Sequence, residues 1–331
     1  MNRRRCFCFT ICILALWVQS GQAGDAAQFT VARRLPGGPI IRAEMLPGKD
    51  GANINGPSLI RAPSWLPNRL GTYYLYFAHH GGKHIRLAYA DRLEGPWKIH
   101  APGTLPLGEA PGCTGHIASP DVHVDDARRE IRMYFHSPAK AGGGQKSFVA
   151  VSKDGLRFKA GEEVLGQFYF RVFPWQDAWF AMAKGGLLYR SDDGLSRFVP
   201  GPNPFPGGDA RDENANTPGP RHVALHRVGM ELRVYYSNIG DAPERILRRR
   251  VRLSSDWKTW TASTPEEVLR PETEDEGARL PLRKSVAGAM KGRENALRDP
   301  AIFEDTDGRV YLLYSVAGES GIGIAELSLP P

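Results

Sequence analysis

The sequence predicts an all-β fold, a five-bladed β-propeller whose last blade is closed by an N-terminal strand. Three observations lead there. No stretch between residues 24 and 331 holds a helical hydrophobic period; ten short apolar or alternating runs recur instead, each bounded by turn residues. Five strand openings built from Pro or small residues return at intervals of about 50 to 80 residues. The 37 Gly and 26 Pro among 331 residues agree, since both break helices and set turn dihedrals. With 41% hydrophobic and 24% charged residues, the chain is neither disordered nor fibrous and can bury a core without cross-links.

Residues 1–23 are set apart as a signal peptide. Arg3, Arg4 and Arg5 precede an apolar run over 6–18, and Gly21-Gln22-Ala23 supplies the small residues of a cleavage site. The run is shorter than the roughly 20 residues of a membrane span, which leaves an N-terminal anchor as the alternative. Export to the periplasm or the exterior follows, with no membrane association after cleavage. Three of the 43 basic residues and none of the 36 acidic ones lie in this segment, so the remainder carries +4. Cys6, Cys8 and Cys12 lie there too, and Cys113 alone cannot form an internal disulfide. No Lys/Arg block interleaves with aromatics, so no nucleic-acid partner is expected. Arg248-Arg249-Arg250 reads as a solvated strand edge.

Residues 24–331 are expected to form one domain. The strands are read at 73–79, 85–90, 131–136, 148–152, 179–183, 187–191, 232–237, 246–253, 310–316 and 322–327. The opening strands are Gly56-Pro57-Ser58-Leu59-Ile60, Ser119-Pro120-Asp121-Val122-His123, Phe170-Arg171-Val172-Phe173, Pro220-Arg221-His222-Val223-Ala224 and Asp299-Pro300-Ala301-Ile302-Phe303. Each is followed by an aromatic strand, a Gly-rich turn, a third strand and a hairpin such as Lys153-Asp154-Gly155 or Asp192-Asp193-Gly194, the turn chemistry tight β connections prefer. Radial repetition of such units solves the edge-strand problem, with a β-sandwich as the competing arrangement. The last unit shows only three strands, and 29–34 is expected to supply its fourth.

In such a ring the starts of the innermost strands and the ends of the second strands share one face. That face collects Asn55, His116, Asp121, Arg171, Arg221, His222, Arg298 and Asp299 with His79, His80, His136, Asn238 and Glu319. A funnel lined by so many titratable groups suits a polar ligand.

The run Gly56-Pro57-Ser58-Leu59-Ile60-Arg61, with Tyr73-Tyr74-Leu75-Tyr76-Phe77 and Leu93-Glu94-Gly95-Pro96-Trp97, resembles the first blade of the five-bladed propeller glycosidases, the arabinanase, β-xylosidase and invertase-like families. Ser119-Pro120-Asp121-Val122 is similar to their Ala-Pro-Asp motif, and Arg298-Asp299-Pro300 to their Asp-Pro opening. The resemblance implies a carbohydrate substrate. It also implies an Asp before the Pro of blade one, an Asp opening blade three and a proton-donating Glu in blade four. Here those positions are Gly56, Phe170-Arg171 and Arg221-His222. Either the carboxylates have moved or the chemistry differs.

Glycoside hydrolysis needs two carboxyl groups about 5 to 9.5 Å apart. The candidates are Asp299 as base or nucleophile, Glu319 as acid, and Asp121, with Glu294 and Glu276 on the loop before the last blade. Asp299 alternatively closes an Asx turn and Glu319 an exposed turn. His79, His80, His116, His136 and His222 offer acid–base groups or hydrogen-bonded structure; they lack tight metal-ligand spacing, so no cofactor is expected, with a His-bound funnel metal ion as the alternative. Arg171, Arg221 and Arg298 either bind an acidic sugar or neutralise Asp121 and Asp299. Trp65, Trp175 and Trp179 read as sugar platforms or blade packing. The expectation is glycoside hydrolysis; a polysaccharide lyase using His, Tyr and an Arg-neutralised uronate, and a non-catalytic sugar-binding propeller, are the alternatives.

Overall fold

The computed structural model describes residues 31–205 and 219–328. The putting-together of the ring follows the chain. Blade one comprises Asn55–Arg61, Tyr73–Ala78, His84–Ala90 and Lys98–Pro106; blade two comprises Ala118–Asp125, Glu130–Pro138, Gln145–Ser152 and Lys159–Ala160. Blade three is Arg171–Trp175, Ala178–Met182, Leu188–Ser191 and Val199–Pro200, and blade four is Gly219–Val228, Glu231–Ile239, Ile246–Arg252 and Glu266–Leu269. Blade five takes Arg298–Glu304, Val310–Ser315 and Gly321–Ser328, and Val31–Arg34 adds its outer strand, running antiparallel from Val31 opposite Ser328 to Arg34 opposite Ala325. The ring therefore closes by joining the two ends of the described chain. Residues 1–23, 29 and 30, on which the signal peptide and the start of this strand were expected, lie outside the described residues. Among the described residues no helix is long and apolar enough to cross a membrane.

The repeat seen in the sequence has a packing cause. Five apolar clusters fill the seams between successive blades, so each sheet buries both faces against its neighbours. The Asp-Gly turns extend these seams. Gly155 and Gly194 sit at φ +73° and +72°, where a side chain would be strained. Asp154 accepts the amides of Leu156 and Arg157, both at 2.8 Å, and Asp193 those of Leu195 and Ser196. A buried tyrosine of the preceding blade then donates to each turn, Tyr76 to Gly155 O at 2.8 Å and Tyr134 to Gly194 O at 2.6 Å.

Clasps join blades at the funnel face. Ile117 N donates to Gly82 O, Leu297 N to Glu244 O and Ile54 N to Glu319 O, at 2.7 to 3.0 Å. The inner strands of blades one, two, four and five bulge just past their start, and Gly56, Ser119 and Asp299 take left-handed φ there. One surface expectation is corrected. Arg248 is buried, its strand covered by Glu266–Leu269, and it pairs with Glu266; Arg250 reaches the same carboxylate at 3.1 Å, and Arg249 donates to Tyr236 Oη at 2.9 Å. Acidic and phenolic partners on adjoining strands turn the basic run into a blade face.

Candidate active site at the funnel mouth

Blade five supplies the centre. Asp299 sits at φ +48° before Pro300, a conformation that turns its carboxyl towards the axis and that non-glycine residues rarely adopt. Its Oδ1 meets His222 Nδ1 from blade four, and its Oδ2 accepts from Ser315 Oγ at 3.1 Å. Burial raises the Asp299 carboxyl, but the His222 imidazole with Arg298 and Arg221 overcomes this and holds it well below the usual carboxylate range. The same burial lowers His222, against the pull of Asp299. Its Nε2 is buried with no hydrogen-bond partner among the described residues.

Tyr169, at φ +65° ahead of the blade-three strand, lies edge-on to His222 with ring centroids 3.9 Å apart and to His136 at 4.4 Å. Burial, Asp299 and Glu319 all raise its phenol, so it stays protonated. His136 stands 5.8 Å from His116, which stands 6.4 Å from His80. His80 Nδ1 lies 3.7 Å from Glu319 Oε1. An arc of rings thus runs from blade one through blades two, three and four, with the two blade-five carboxylates at its ends. Burial, then the neighbouring imidazoles, drives His136 far below an ordinary histidine, and His116 is lowered by burial despite its 3.0 Å contact to Gln145.

Glu319 is 3% exposed. Asn53 and, at 3.3 Å, Asn55 donate to its Oε2, while Arg298 Nη1 lies 3.7 Å from Oε1. Burial and Asp299 raise this carboxyl; the neighbouring His80 imidazole and Arg298 lower it, and the net direction is down. Behind both acids lies Glu244, fully buried, which accepts from Arg221 Nε at 2.8 Å and from Ser237 Oγ at 2.8 Å and pairs with Arg298 Nε at 2.8 Å. Two of the three expected arginines are therefore engaged by a carboxylate that sequence reasoning overlooked. Glu244 occupies the turn after a second strand, as Glu319 does one blade later, and that shared position was the available signal. Tyr169, adjoining the expected Phe170-Arg171 opening, was missed because tyrosine reads first as core.

The remaining candidates separate from this cluster. Asp121 lies two residues deeper in an axial channel of about 100 Å³, where it accepts from Val172 N at 2.8 Å and pairs with His123 at 2.8 Å. Arg171 spans the same channel, donating to Pro120 O at 2.8 Å and Val223 O at 3.1 Å and standing 3.9 Å from Asp121. His79 falls one residue beyond its strand and accepts from Gly81 N at 3.0 Å; register makes Ala78, not His79, the counterpart of His136. Glu276 is buried against Arg34 and Tyr314 at the outer edge of blade five, and Glu294 stands 3.6 Å from Arg298. None of the three tryptophans lines these cavities: Trp65 bonds Asp126, while Trp175 and Trp179 pack under Arg227 and Arg132. Among the described residues no group of three or more His, Cys, Asp or Glu is arranged to hold a metal.

Over the cluster opens a polar pocket of about 130 Å³ lined by His80, Gln145, Phe168, Tyr169, Lys184, Arg221, Ala287 and Gly288. A strap between blades four and five roofs it. Val286 O accepts from Arg221 Nη2, Ser285 exchanges backbone hydrogen bonds with Gly240 and Asp241, and Met290 N reaches Glu319 Oε2 at 3.5 Å.

No family model matches the chain. The uncharacterized protein R118 of Acanthamoeba polyphaga mimivirus is 41% identical over 300 residues, 83% of each chain. Among solved structures, a thermostable family-43 glycoside hydrolase matches with a TM-score of 0.56 at 15% identity, covering 84% of this chain and 89% of that one. A family-43 β-xylosidase/α-arabinofuranosidase from a compost metagenome matches at 0.57 and 13%, covering 90% and 95%. An endo-1,4-β-xylanase of Bacteroides thetaiotaomicron matches at 0.58 and 12%, covering 84% and 94%. These structures share the five-bladed fold.

Proposed function

This chain belongs to the family of the mimivirus protein R118, and from the funnel-mouth cluster we propose that it is a carbohydrate-active enzyme that hydrolyses a glycosidic bond. The observation that carries the reading is the meeting of two buried carboxylates from one blade, Asp299 and Glu319, against Arg298 beneath a polar pocket. Its fold neighbours include glycoside hydrolases acting on xylan-type and arabinose-bearing sugars, which makes a glycan the ligand class to test first. Asp299, ionised and oriented by His222 and Ser315, serves as base or nucleophile. Glu319 gives the proton to the leaving oxygen, and because its carboxyl is held low, donation requires acidic conditions. Export through residues 1–23 belongs to the same proposal, and a mature N-terminus at Gly24 would support it.

A second reading rests on one contact. His222, lowered and with a vacant Nε2, is a base at neutral pH, and the protonated Tyr169 beside it is a donor. Base and donor side by side suit elimination across a uronate better than hydrolysis, which places its groups on either side of the bond. One assay separates the two: acidic and neutral oligosaccharides are incubated with the protein while reducing ends and ultraviolet absorbance are followed. Hydrolysis yields reducing ends alone, and elimination adds absorbance from the new double bond. Neither signal on any glycan overturns both.

A further inference from the structure

The strap that roofs the site is basic and faces solvent. Between Glu276 and Glu294 there is no acidic residue, while Arg279, Arg283, Lys284, Lys291 and Arg293 are all exposed. Arg279 stands 3.7 Å from Glu274, and Arg293 donates to the backbone oxygens of Glu274 and Asp275. Arg283, Lys284 and Lys291 have no ion-pair partner among the described residues.

The strap also divides two cavities. Ala287 and Gly288 line the 130 Å³ pocket over the cluster, while Gly292 and Arg293 line a larger one of about 370 Å³ with Arg42, Glu44, Asp275 and Ser320. In this second cavity Arg42 and Asp275 stand 3.5 Å apart. The wall between the cavities is thin. Asn53 and Glu319 belong to the cluster, while their chain neighbours Ala52 and Ser320 face the outer cavity, and Ile54 bridges to Ser320.

We propose that this strap is the binding element for an anionic glycan, a polymer bearing uronate carboxylates or sulfate esters, lying from the axial pocket across the strap into the outer cavity. The inference rests on the proposed function only in taking the axial pocket as a sugar site. The inner arginines cannot select such a substrate, because Glu244 engages Arg221 and Arg298 and backbone carbonyls occupy Arg171. Unpaired cations at the rim can, since their field draws in anions without a desolvation cost inside the ring. Leu282 and Val286 on the strap expose apolar surface for sugar faces.

The test is affinity electrophoresis of the full-length protein in gels holding polygalacturonate, chondroitin sulfate or arabinan, at low and at 0.5 M-scale salt. Retardation by an acidic glycan, absent with arabinan and abolished by salt, is the expected result. The carboxylated and sulfated arms identify the anion. The triple variant Arg283→Glu/Lys284→Glu/Lys291→Glu should weaken that retardation at least about tenfold with an unchanged melting temperature. Equal retardation by arabinan, equal retardation by inorganic polyphosphate, or an unchanged triple variant would each overturn the proposal. Binding without bond cleavage would leave this inference standing and remove the hydrolase; cleavage of neutral glycans alone would do the reverse.

Discussion

Blades one and five reach the axis by the same backbone device and do different chemistry with it. In each, the inner strand opens on a left-handed residue followed by proline and a bulge: Gly56-Pro57 in one, Asp299-Pro300 in the other. At Gly56 a Cβ would lie 3.0 Å from Ser119 Cα, so the close approach of blade two admits no side chain without movement. At Asp299 the corresponding space holds a carboxyl, and the neighbouring blade presents His222 to it. The propeller repeats the bulge in four of its blades but leaves each position to be filled according to what an adjacent blade offers. A funnel carboxylate can therefore sit on a different blade while the fold stays the same.

The largest effect tests the charged half of that pair. Asp299→Asn keeps the shape and the Ser315 contact but removes the ionised oxygen beside His222. Glycan cleavage should fall by about 10²- to 10⁴-fold while the protein still melts cooperatively; a rate within a few-fold of the parent would remove Asp299 from the chemistry. The pH profile sharpens the result, because the two reactions titrate in opposite directions. If Glu319 is the donor, its lowered carboxyl must be protonated, so activity rises as pH falls towards and below 4.5 and is lost only when Asp299 gains its proton. If His222 is the base, it works when neutral, so activity is full at pH 7 and disappears as pH falls below the ordinary imidazole value of 6.5. Initial rates across pH 3 to 8 decide between them.

Next in size is the support behind blade five. Glu244 is fully buried between two guanidiniums, and Glu244→Ala removes the carboxylate that both share. Breaking a buried ion network from one side costs about 3–5 kcal/mol, read by urea unfolding. Glu244→Gln, which keeps hydrogen-bonding oxygen, should lose less. Equal stability of Glu244→Ala and the parent would show that the arginines find other partners.

Much of this contrast was legible beforehand. Pro and small residues at regular spacing, aromatic second strands and Asp-Gly turns carry the propeller because each feature is local: a bulge, a buried seam and a tight turn. The funnel face follows from strand alternation, which is why Asp299, Glu319, His80, His116, His136 and His222 could be gathered from distant parts of the chain. What local pattern does not encode is depth along the axis. Asp121 sits past its bulge instead of at it, and two residues suffice to move it into another cavity. Pairing was equally hidden, since nothing near Arg221 or Arg298 in sequence marks Glu244 as the partner of both. Arg248 likewise reads as solvated until Glu266, on the outermost strand, covers it.

The uncharged half of the comparison yields a smaller effect. Gly56→Asp restores a carboxylate where blade one of the resembling glycosidases has one, at a left-handed φ and against Ser119. Backbone strain and overpacking together should cost about 1–3 kcal/mol. It should not rescue Asp299→Asn, because the nearest atoms at that position belong to Ser119, where Asp299 has His222. A double variant with restored cleavage would mean that the two bulges are chemically interchangeable after all.

The smallest effect is the control at the far end of the seam between the same two blades. Asp305 accepts from Arg61 Nε at 2.7 Å and from Tyr73 Oη at 2.6 Å, across the boundary of blades five and one. Burial raises its carboxyl, but Arg61 and Tyr73 pull it from 3.8 down to about 2. Because the folded value lies below the unfolded one, the stabilisation is complete above pH 4 and is lost as pH falls from 4 towards 2. Asp305→Asn should thus cost about 1–2 kcal/mol at pH 7, with part of the gain screened where Arg61 meets solvent, and progressively less as pH falls towards 2. Cleavage per folded molecule should be unchanged, since this pair lies at the opposite ends of the strands that carry the carboxylates. A loss of turnover alongside that modest destabilisation would show that the seam, and not the bulge alone, sets the geometry of Asp299.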